Sequence, residues 1–569
     1  MITIKRAGDA ALLFETSQPV HPGHQGGNEA AWIAAAIRAA DVPGVIDVVP
    51  GASTVLVTFG PSQLQASGEP ETDSDLQADG GLATGELIRQ VLQRHSDASA
   101  IPAGLTEDPI VIDTVYDGVD LADVAALTGL TVPDVIARHQ AAEYQVGWLG
   151  FSPGFGYLTG LDPRLAVPRL DSPRQTVPAG SVAIAGGLAA VYPAPSPGGW
   201  RLIGRTAAVL WDPDRDPPAL FTPGQRVRFR AVGRLPDKRP PLCTDLERPD
   251  QDKGTGPAHK IRERSRERWV EVVRPGPLTT IQDLGRAGLA HLGVPASGAA
   301  DAGSLRLANE LVGNDEGAAC LEVTLGRLEL RFGFDAAVAL AGAPAPVRLI
   351  PAAGTGPAHE TAFAVPAGTA LRLGAPPTGL RSYLAISGGI DVPPVLGSRS
   401  ADLLSGLGPA PLRPGDRLRV GRARSRPVSE KARRPRTAGP SAAAQRPGAP
   451  PQITETVLRV IRGPRDDWFS EGAISALAGE SYQVTAASNR SGLRLAGPPL
   501  HRERRDELPS EGVAAGSLQV SHDGQPILLL ADRPTTGGYP VIGVVVSADL
   551  DVAAQLRPGQ RVRFQLVAP

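Results

Sequence analysis

Short apolar runs, cut every few residues by proline or glycine, dominate this chain, and few stretches carry the spacing of an amphipathic helix. That texture predicts strands and tight turns over most of the length. Near the start, residues 11–14 and 53–59 are β-rich runs ended by turn residues. Residues 28–38 space their apolar positions for a helix with an Asn near its start. Residues 84–94 predict a second helix with Thr84 as N-cap. The polar stretch 61–81 between them reads as an insertion. Residues 1–108 are therefore expected to form an α/β sandwich.

From residue 109 the texture changes. Residues 110–115 alternate loosely as a strand, and 122–127 and 132–142 read as short helices, the second opened by Thr131 and Pro133. Short runs then continue to Phe229, the pattern of a closed or strongly curved sheet. A heptapeptide marks the ends of such segments. Pro223-Gly-Gln-Arg-Val-Arg-Phe229 recurs letter for letter as Pro558-Gly-Gln-Arg-Val-Arg-Phe564, and Pro414-Gly-Asp-Arg-Leu-Arg-Val420 is a looser copy. Pro-Gly makes the turn, and the alternating residues make a closing strand. The copies imply three related β-domains, at 109–232, 269–420 and 453–569. Two polar linkers separate them. Residues 233–268 are basic, Pro-rich and of alternating charge, so a solvated strip outweighs a docking strip. Residues 421–452 are Arg, Ala, Pro and Ser with almost nothing apolar larger than Ala. The expected class is α+β, mainly β: one α/β domain followed by three barrels.

Composition adds exclusions. The 66 glycines and 56 prolines favour turn-rich β structure, and 42% hydrophobic residues suffice for real cores. A net charge of −2 gives no electrostatic reason to expect nucleic acid or an anionic membrane. No stretch reads as a bilayer span or a signal peptide, so a cytoplasmic protein is expected. Cys243 and Cys320 are too few for a disulfide framework or a thiolate metal site, and no metal ligand set is assigned. The lysines are Lys5, Lys238, Lys253, Lys260 and Lys431, and no Gly-x-x-x-x-Gly-Lys loop exists. A Schiff base is thus disfavoured. Any phosphate must be met by Arg, backbone amides, a metal or a partner chain.

Candidate chemistry gathers in Gly-rich runs. The first is His139-Gln-Ala-Ala-Glu-Tyr-Gln-Val-Gly-Trp-Leu-Gly-Phe-Ser-Pro-Gly-Phe-Gly-Tyr-Leu158, followed by Arg169, Arg174 and Tyr192, then Ser196-Pro-Gly-Gly-Trp200. Glycines let backbone approach a ligand closely. The second begins at Gly276-Pro-Leu-Thr-Thr-Ile-Gln-Asp-Leu-Gly-Arg286 and Gly293-Val-Pro-Ala-Ser-Gly-Ala-Ala-Asp301. It continues through Glu322, Ser387-Gly-Gly-Ile-Asp391, Leu396-Gly-Ser-Arg-Ser400, Ser488-Asn-Arg-Ser-Gly-Leu-Arg494, Gln519 and Thr535-Thr-Gly-Gly-Tyr-Pro540.

The first run resembles the small subunit of bacterial 5-oxoprolinase, a family also known as KipI or allophanate hydrolase subunit 1. The second resembles its partner of the KipA type, similar also to the carboxyltransferase part of urea carboxylase. Ser491 departs from the family pattern, where Met is expected, and the 421–452 insertion is long. The resemblance implies an α/β domain, three cyclophilin-like barrels, and two normally separate subunits joined in one chain. It implies ATP-dependent hydrolysis of 5-oxo-L-proline to L-glutamate, with ATP and Mg2+ used and a LamB/YcsF-type subunit as partner. A small amide or carboxylate is the substrate class, and a homo-oligomer is left open.

On this resemblance His139, Asp283, Asp301 and Glu322 are catalytic candidates, although each also reads as a cap or turn residue. Arg169, Arg174, Tyr192, Ser196, Gln282, Arg286, Asn489, Arg490, Arg494, Gln519 and Tyr539 are candidates for substrate binding. Gly198, Gly199, Gly388, Gly389, Ser398 and Arg399 are candidates for ATP. Two other activities stay open: the carboxyltransferase component of a biotin-dependent urea carboxylase, and a non-catalytic regulator of a histidine kinase. With Met1 the single methionine, the Met-Lys-Met step of a biotinyl site is absent, so the former needs a separate carrier.

Overall fold

A computed structural model describes residues 2–16, 29–60, 108–236, 268–351, 358–423, 455–504 and 506–568. The helix expected at 84–94, the insertion at 61–81, Cys243 and most of both linkers lie outside the described residues. No described helix is long and apolar enough to cross a membrane.

Elements form largely where local sequence dictates them. The helix Val132–Ala141 starts at Thr131, whose hydroxyl accepts from the Asp134 amide while the Asp134 carboxylate accepts from the Thr131 amide, a reciprocal cap. Leu121–Thr128 ends at Gly129, whose φ of 66° suits glycine. At the N-terminus the strands Thr3–Arg6, Ala11–Glu15, Thr54–Phe59 and Val45–Pro50 form one antiparallel sheet in that order. Helix Glu29–Ala39 covers one face, burying Ile33 and Ile37 against Phe14 and Val55.

The structure is mostly β, and its sheets are barrel-like. Residues 455–568 close a seven-stranded barrel from Thr456–Arg462 round to Arg561–Leu566. A seven-stranded sheet in 110–231 nearly closes, because its edge strands meet through a bridge between Val115 and Arg205. Between these units, two five-stranded sheets enclose a common core that includes Val272, Leu330 and Leu384.

The heptapeptide repeat does the same work in both barrels. Strand Arg226–Ala231 runs parallel to Ile110–Thr114 and antiparallel to Tyr144–Leu149. Strand Arg561–Leu566 likewise runs parallel to Thr456–Arg462 and antiparallel to Ser481–Val484. The looser copy, Arg417–Arg419, instead pairs antiparallel with Trp269–Pro275 at a sheet edge. Its Pro-Gly turn is shared, but its sheet stays open.

The parts interlock. Val294 and Leu407, from the C-terminal half, are buried inside the apolar core built by residues 110–229. Ala290 and Ala514 pack on Leu13 and Leu56 of the N-terminal sheet.

Candidate functional site

The loop after strand Leu278–Gln282 touches several other parts of the molecule. The Leu292 carbonyl accepts from the Gly154 amide (3.0 Å), the Ala290 amide donates to Asp47 (2.9 Å), and the Gly298 carbonyl accepts from Arg490 (2.5 Å). Asp283 pins the start of this loop to the 398–400 turn. Its carboxylate accepts from Gly285 N (2.8 Å), Ser398 Oγ (2.6 Å), Arg399 N (2.6 Å) and Ser400 Oγ.

Behind the loop lies a buried charge network. Glu322, 1% exposed, accepts from the Tyr383 hydroxyl (2.7 Å) and the Ala300 amide (3.0 Å) and is paired with Arg490 and Arg381. Arg490, 2% exposed, grips Asp532 through Nε (2.8 Å) and Nη2 (2.9 Å). Ser297 donates a further bond to Asp532 (2.7 Å). Burial alone would raise the Glu322 pKa, but the charges of Arg490 and Arg381 outweigh it and hold the carboxyl below its ordinary value. The network joins the two-sheet unit to the closed barrel. Its worth depends on every member being satisfied.

Asp301 sits at the edge of this network. It caps helix Ala302–Leu311 through Ser304 N (2.8 Å) and accepts from Gln555 Nε2 (2.7 Å). Asp551, from the closed barrel, reaches the same helix end and accepts from Gly303 N (3.1 Å). Burial and the Asp301 charge push Asp551 up to about 6, and burial raises Asp301 as well. A carboxyl raised on folding is stabilising in its protonated form, so its contribution is complete below the ordinary carboxyl pKa. That contribution fades as pH rises through about 6. Asp551→Asn is therefore expected to raise the melting temperature at pH above 7, with the gain vanishing on acidification below the ordinary carboxyl pKa. A melting series across pH checks this, and an equal gain at all pH values would contradict it.

Two predicted binders carry unspent groups. Gln282 donates to Thr280 Oγ1 (3.0 Å) and the Ala401 carbonyl (2.9 Å), and its Oε1 has no protein partner. Arg286, 3% exposed, donates to the Ser400 carbonyl through Nη2, while Nε and Nη1 have no protein partner.

A second feature lies where the halves meet. A cavity of about 200 Å³ is lined by Trp148, Trp200 and Arg169 from one half and by Glu507, Pro509 and Ser510 from the other. The Gly-rich run builds its wall: Trp148 stacks on Tyr157 at 4.5 Å, and Phe155 meets Trp200 edge-on at 5.8 Å. Ser510 Oγ donates to the Tyr157 hydroxyl (3.3 Å), and the Phe151 amide donates to Thr536 Oγ1 (2.8 Å). Phe151 adopts φ of 64°, a conformation uncommon for a bulky side chain. Trp148 Nε1 is buried without a protein partner. Arg169 pairs with Glu507 at 2.9 Å, both partly exposed. A guanidinium that can exchange Glu507 for another carboxylate, beside flat aromatic side chains, suits a small planar amide bearing a carboxylate.

The other candidates distribute unevenly. Tyr192 packs on Phe155 (5.2 Å), and burial raises its phenol. Gly198 faces the Tyr192 hydroxyl, the Gly199 carbonyl accepts from Leu170 N (2.8 Å), and buried Ser196 Oγ lacks a protein partner. Gln519 donates to the Tyr539 carbonyl (3.2 Å), and Gly538 next door faces Arg169. Four residues stand apart. His139 is fully buried against Phe229 (4.5 Å) with Nδ1 bonded to Tyr116 (2.8 Å), and burial lowers its pKa to about 3. Arg174 binds Asp120 (2.6 Å), Asn489 closes its own turn onto Ser491 N (2.8 Å), and Arg494 is exposed.

For a nucleotide, a polar cavity of about 300 Å³ brings Gly388, Gly389 and Arg399 beside Asn314 and Arg422. The Gly388 and Gly389 amides are spent on Asn314 Oδ1 (2.8 Å) and the Ile386 carbonyl (2.8 Å). A phosphate there would therefore meet the Arg399 and Arg422 side chains rather than a backbone cradle, and would have to displace Asp391 from Arg399 (3.7 Å) in a lining that also holds Asp315. Ser398 is committed to Asp283 instead. Among the described residues, no cluster of three or more His, Cys, Asp or Glu could hold a metal.

Sequence reasoning missed Asp532, Arg381, Tyr383 and Glu507. One signal was present in the sequence: Arg381 heads the short, largely apolar run Ser-Tyr-Leu-Ala-Ile386, which the structure buries throughout.

Two family models match this architecture. Carboxyltransferase domain, subdomain C and D, covers residues 2–221, and carboxyltransferase domain, subdomain A and B, covers 292–566. The C-type component of 5-oxoprolinase from Escherichia coli K12 is 40% identical over 52% of this chain and 90% of that protein. The B-type component of 5-oxoprolinase from E. coli O157:H7 is 39% identical over 39% of this chain and 92% of that protein. Urea amidolyase of Lachancea kluyveri is 34% identical over 52% of this chain but only 17% of its own length. The crystal structure of TTHA0988 aligns with a TM-score of 0.77 and 32% identity, covering 99% of this chain and 100% of that one. The chain belongs to the carboxyltransferase-domain family that includes the B- and C-type components of 5-oxoprolinase, and carries both in one polypeptide.

Proposed function

We propose that this chain is the joined B- and C-type component of an ATP-dependent 5-oxoprolinase, which opens 5-oxo-L-proline to L-glutamate together with a LamB/YcsF-type subunit. The observation that carries this is the interlocked junction: the halves share a core through Val294 and Leu407 and close one cavity between them. Joining them fixes a one-to-one ratio and keeps each half at high effective concentration near the other.

Amide resonance makes a five-membered lactam a poor electrophile, so transfer of phosphate from ATP to its carbonyl oxygen precedes attack by water. This chain's part is to bind and orient. Arg169 exchanges Glu507 for the substrate carboxylate, and the Trp148 and Trp200 side chains exclude water from the lactam ring. Arg399 and Arg422 are the side chains offered to a phosphate, with Mg2+ arriving on the nucleotide.

Tryptophan fluorescence and melting tests check this. 5-Oxoproline is expected to stabilise the chain and perturb its tryptophan emission. Arg169→Ala is expected to weaken binding about tenfold or more, the worth of one charge-assisted bond. A second reading, carboxyl transfer to urea from a carrier-borne biotin, is favoured by the subdomain match and the likeness to urea amidolyase. Stabilisation by urea and not by 5-oxoproline would move the assignment there.

A further inference from the structure

We propose that the outer face of one five-stranded sheet is a docking surface for an acidic protein partner, the further subunit required by the proposed function, on which this inference rests. The sheet runs Val347–Ile350, Ala370–Leu373, Leu328–Phe332, Trp269–Pro275 and Arg417–Arg419. Its inner face buries Val270, Val272, Leu330, Leu371 and Leu418. Strand alternation then sends the intervening residues outward.

The register arranges those residues in rows. Across one row stand Arg348, Arg372, Glu329 and Arg274; across the next, Arg331, Glu271 and Arg417; Arg419 lies opposite Trp269. Six arginines thus face two glutamates, with Asp391 beside Arg419 at the edge (3.9 Å). Glu329 is only 9% exposed and already held by Arg372 (2.8 Å) and Arg274 (3.5 Å), whereas Arg274 and Arg419 are each 68% exposed. Solvent and partners therefore meet a positive surface. The chain as a whole carries −2, so this is a local concentration, not general basicity.

Three features favour recognition over a merely solvated face. Arg348 and Arg372 are direct cross-strand partners, and like charges so placed cost stability. Its cations are arginines, as nearly all cations of this chain are, and the arginine fork pairs two-pronged with carboxylates. At one edge the Arg417 guanidinium stacks on Trp269 at 4.6 Å, a pair of the kind enriched where proteins meet. An open groove of about 520 Å³ at one end, walled by Arg274, Arg327 and Arg372, extends the surface. The bonds that join the two halves leave this face aside. Glu271, partly exposed between Arg331 and Arg417, interrupts the row of arginines, which discrete carboxylates of a protein tolerate better than a continuous phosphate backbone does.

The test uses the full chain with Arg331→Glu, Arg348→Glu and Arg372→Glu combined, and a second triple variant with Gln at the same positions. Binding to the LamB/YcsF-type subunit from the same genome is measured by calorimetry at low and high salt, beside 5-oxoproline-dependent ADP release by the mixture. The native chain is expected to bind more weakly as salt rises. The Glu variant should lose about tenfold or more in affinity and melt lower, because Arg372→Glu and Arg331→Glu set carboxylates opposite Glu329 and Glu271; the Gln variant should lose less affinity and melt closer to native. Equal binding by native and Glu chains overturns the docking face, and persisting ADP release then leaves the function standing. A native chain that fails to bind the subunit overturns the docking face too, and ADP release separately decides the function. Tighter binding of an RNA or DNA duplex than of the subunit would assign the face to nucleic acid.

Discussion

Arg490→Met is expected to destabilise the chain by about 3–5 kcal/mol, the usual cost of stranding buried partners of an ion pair. Glu322 and Asp532 are 1% and 0% exposed, and both lean on this one guanidinium. Without it, two buried carboxylates keep Arg381 beside Glu322, the charge of Arg286 acting on Asp532, and neutral donors. The carboxyls then bind protons on folding, so the loss should be greatest above pH 7 and smaller in acid. Calorimetric melting would show it as a drop of roughly 10 °C, since each kcal/mol shifts a unit of this size by about 2–4 °C. Arg494→Ala, four residues along and exposed, is the control and should change stability by no more than about 0.5 kcal/mol. A neutral Arg490→Met would mean the network contributes nothing net.

The second large effect is at the seam between the halves. Gly293 has φ of 77°, and any Cβ there would run into the Ser152 carbonyl. Valine suits neither the backbone conformation nor the space, so Gly293→Val should cost on the order of 3 kcal/mol of the contact between halves. That is roughly a hundredfold in affinity. A protease site placed within residues 237–267 makes the effect measurable: cut native halves should co-elute on gel filtration, and cut Gly293→Val halves should separate. Co-elution at equal dilution would show that this contact does not hold the halves together.

These two sites show what sequence makes legible. The reciprocal cap at Thr131 and Asp134 and the Pro-Gly heptapeptide are short-range signals, and the corresponding helix and closing strands form as the local pattern dictates. Which strand each copy pairs with is not local. The parallel partner of Arg226–Ala231 begins at Ile110, far back in the chain, and the looser copy at Arg417 closes nothing. Glu322 and Arg490 stand out as charges among glycines, but their partnership spans the long polar insertion, and Asp532 hides at the end of an apolar run. His139 belongs to the densest motif, yet Tyr144 and Phe229 enclose its ring, and only the fold brings Phe229 there. Glu507 sits in the charge-rich stretch 501–507, and only the fold sets it on Arg169.

The central claim is that the joined halves work as one component of a lactam-opening enzyme. Its most direct test is ADP release on adding 5-oxoproline to the full chain, to a LamB/YcsF-type subunit, and to both. Turnover with glutamate formed one-to-one with ADP is predicted only in the mixture, and Arg169→Ala should depress it. Turnover by the chain alone would remove the need for the partner. A mixture that releases no ADP with 5-oxoproline, but accepts a carboxyl group from a biotin carrier onto urea, would contradict the account.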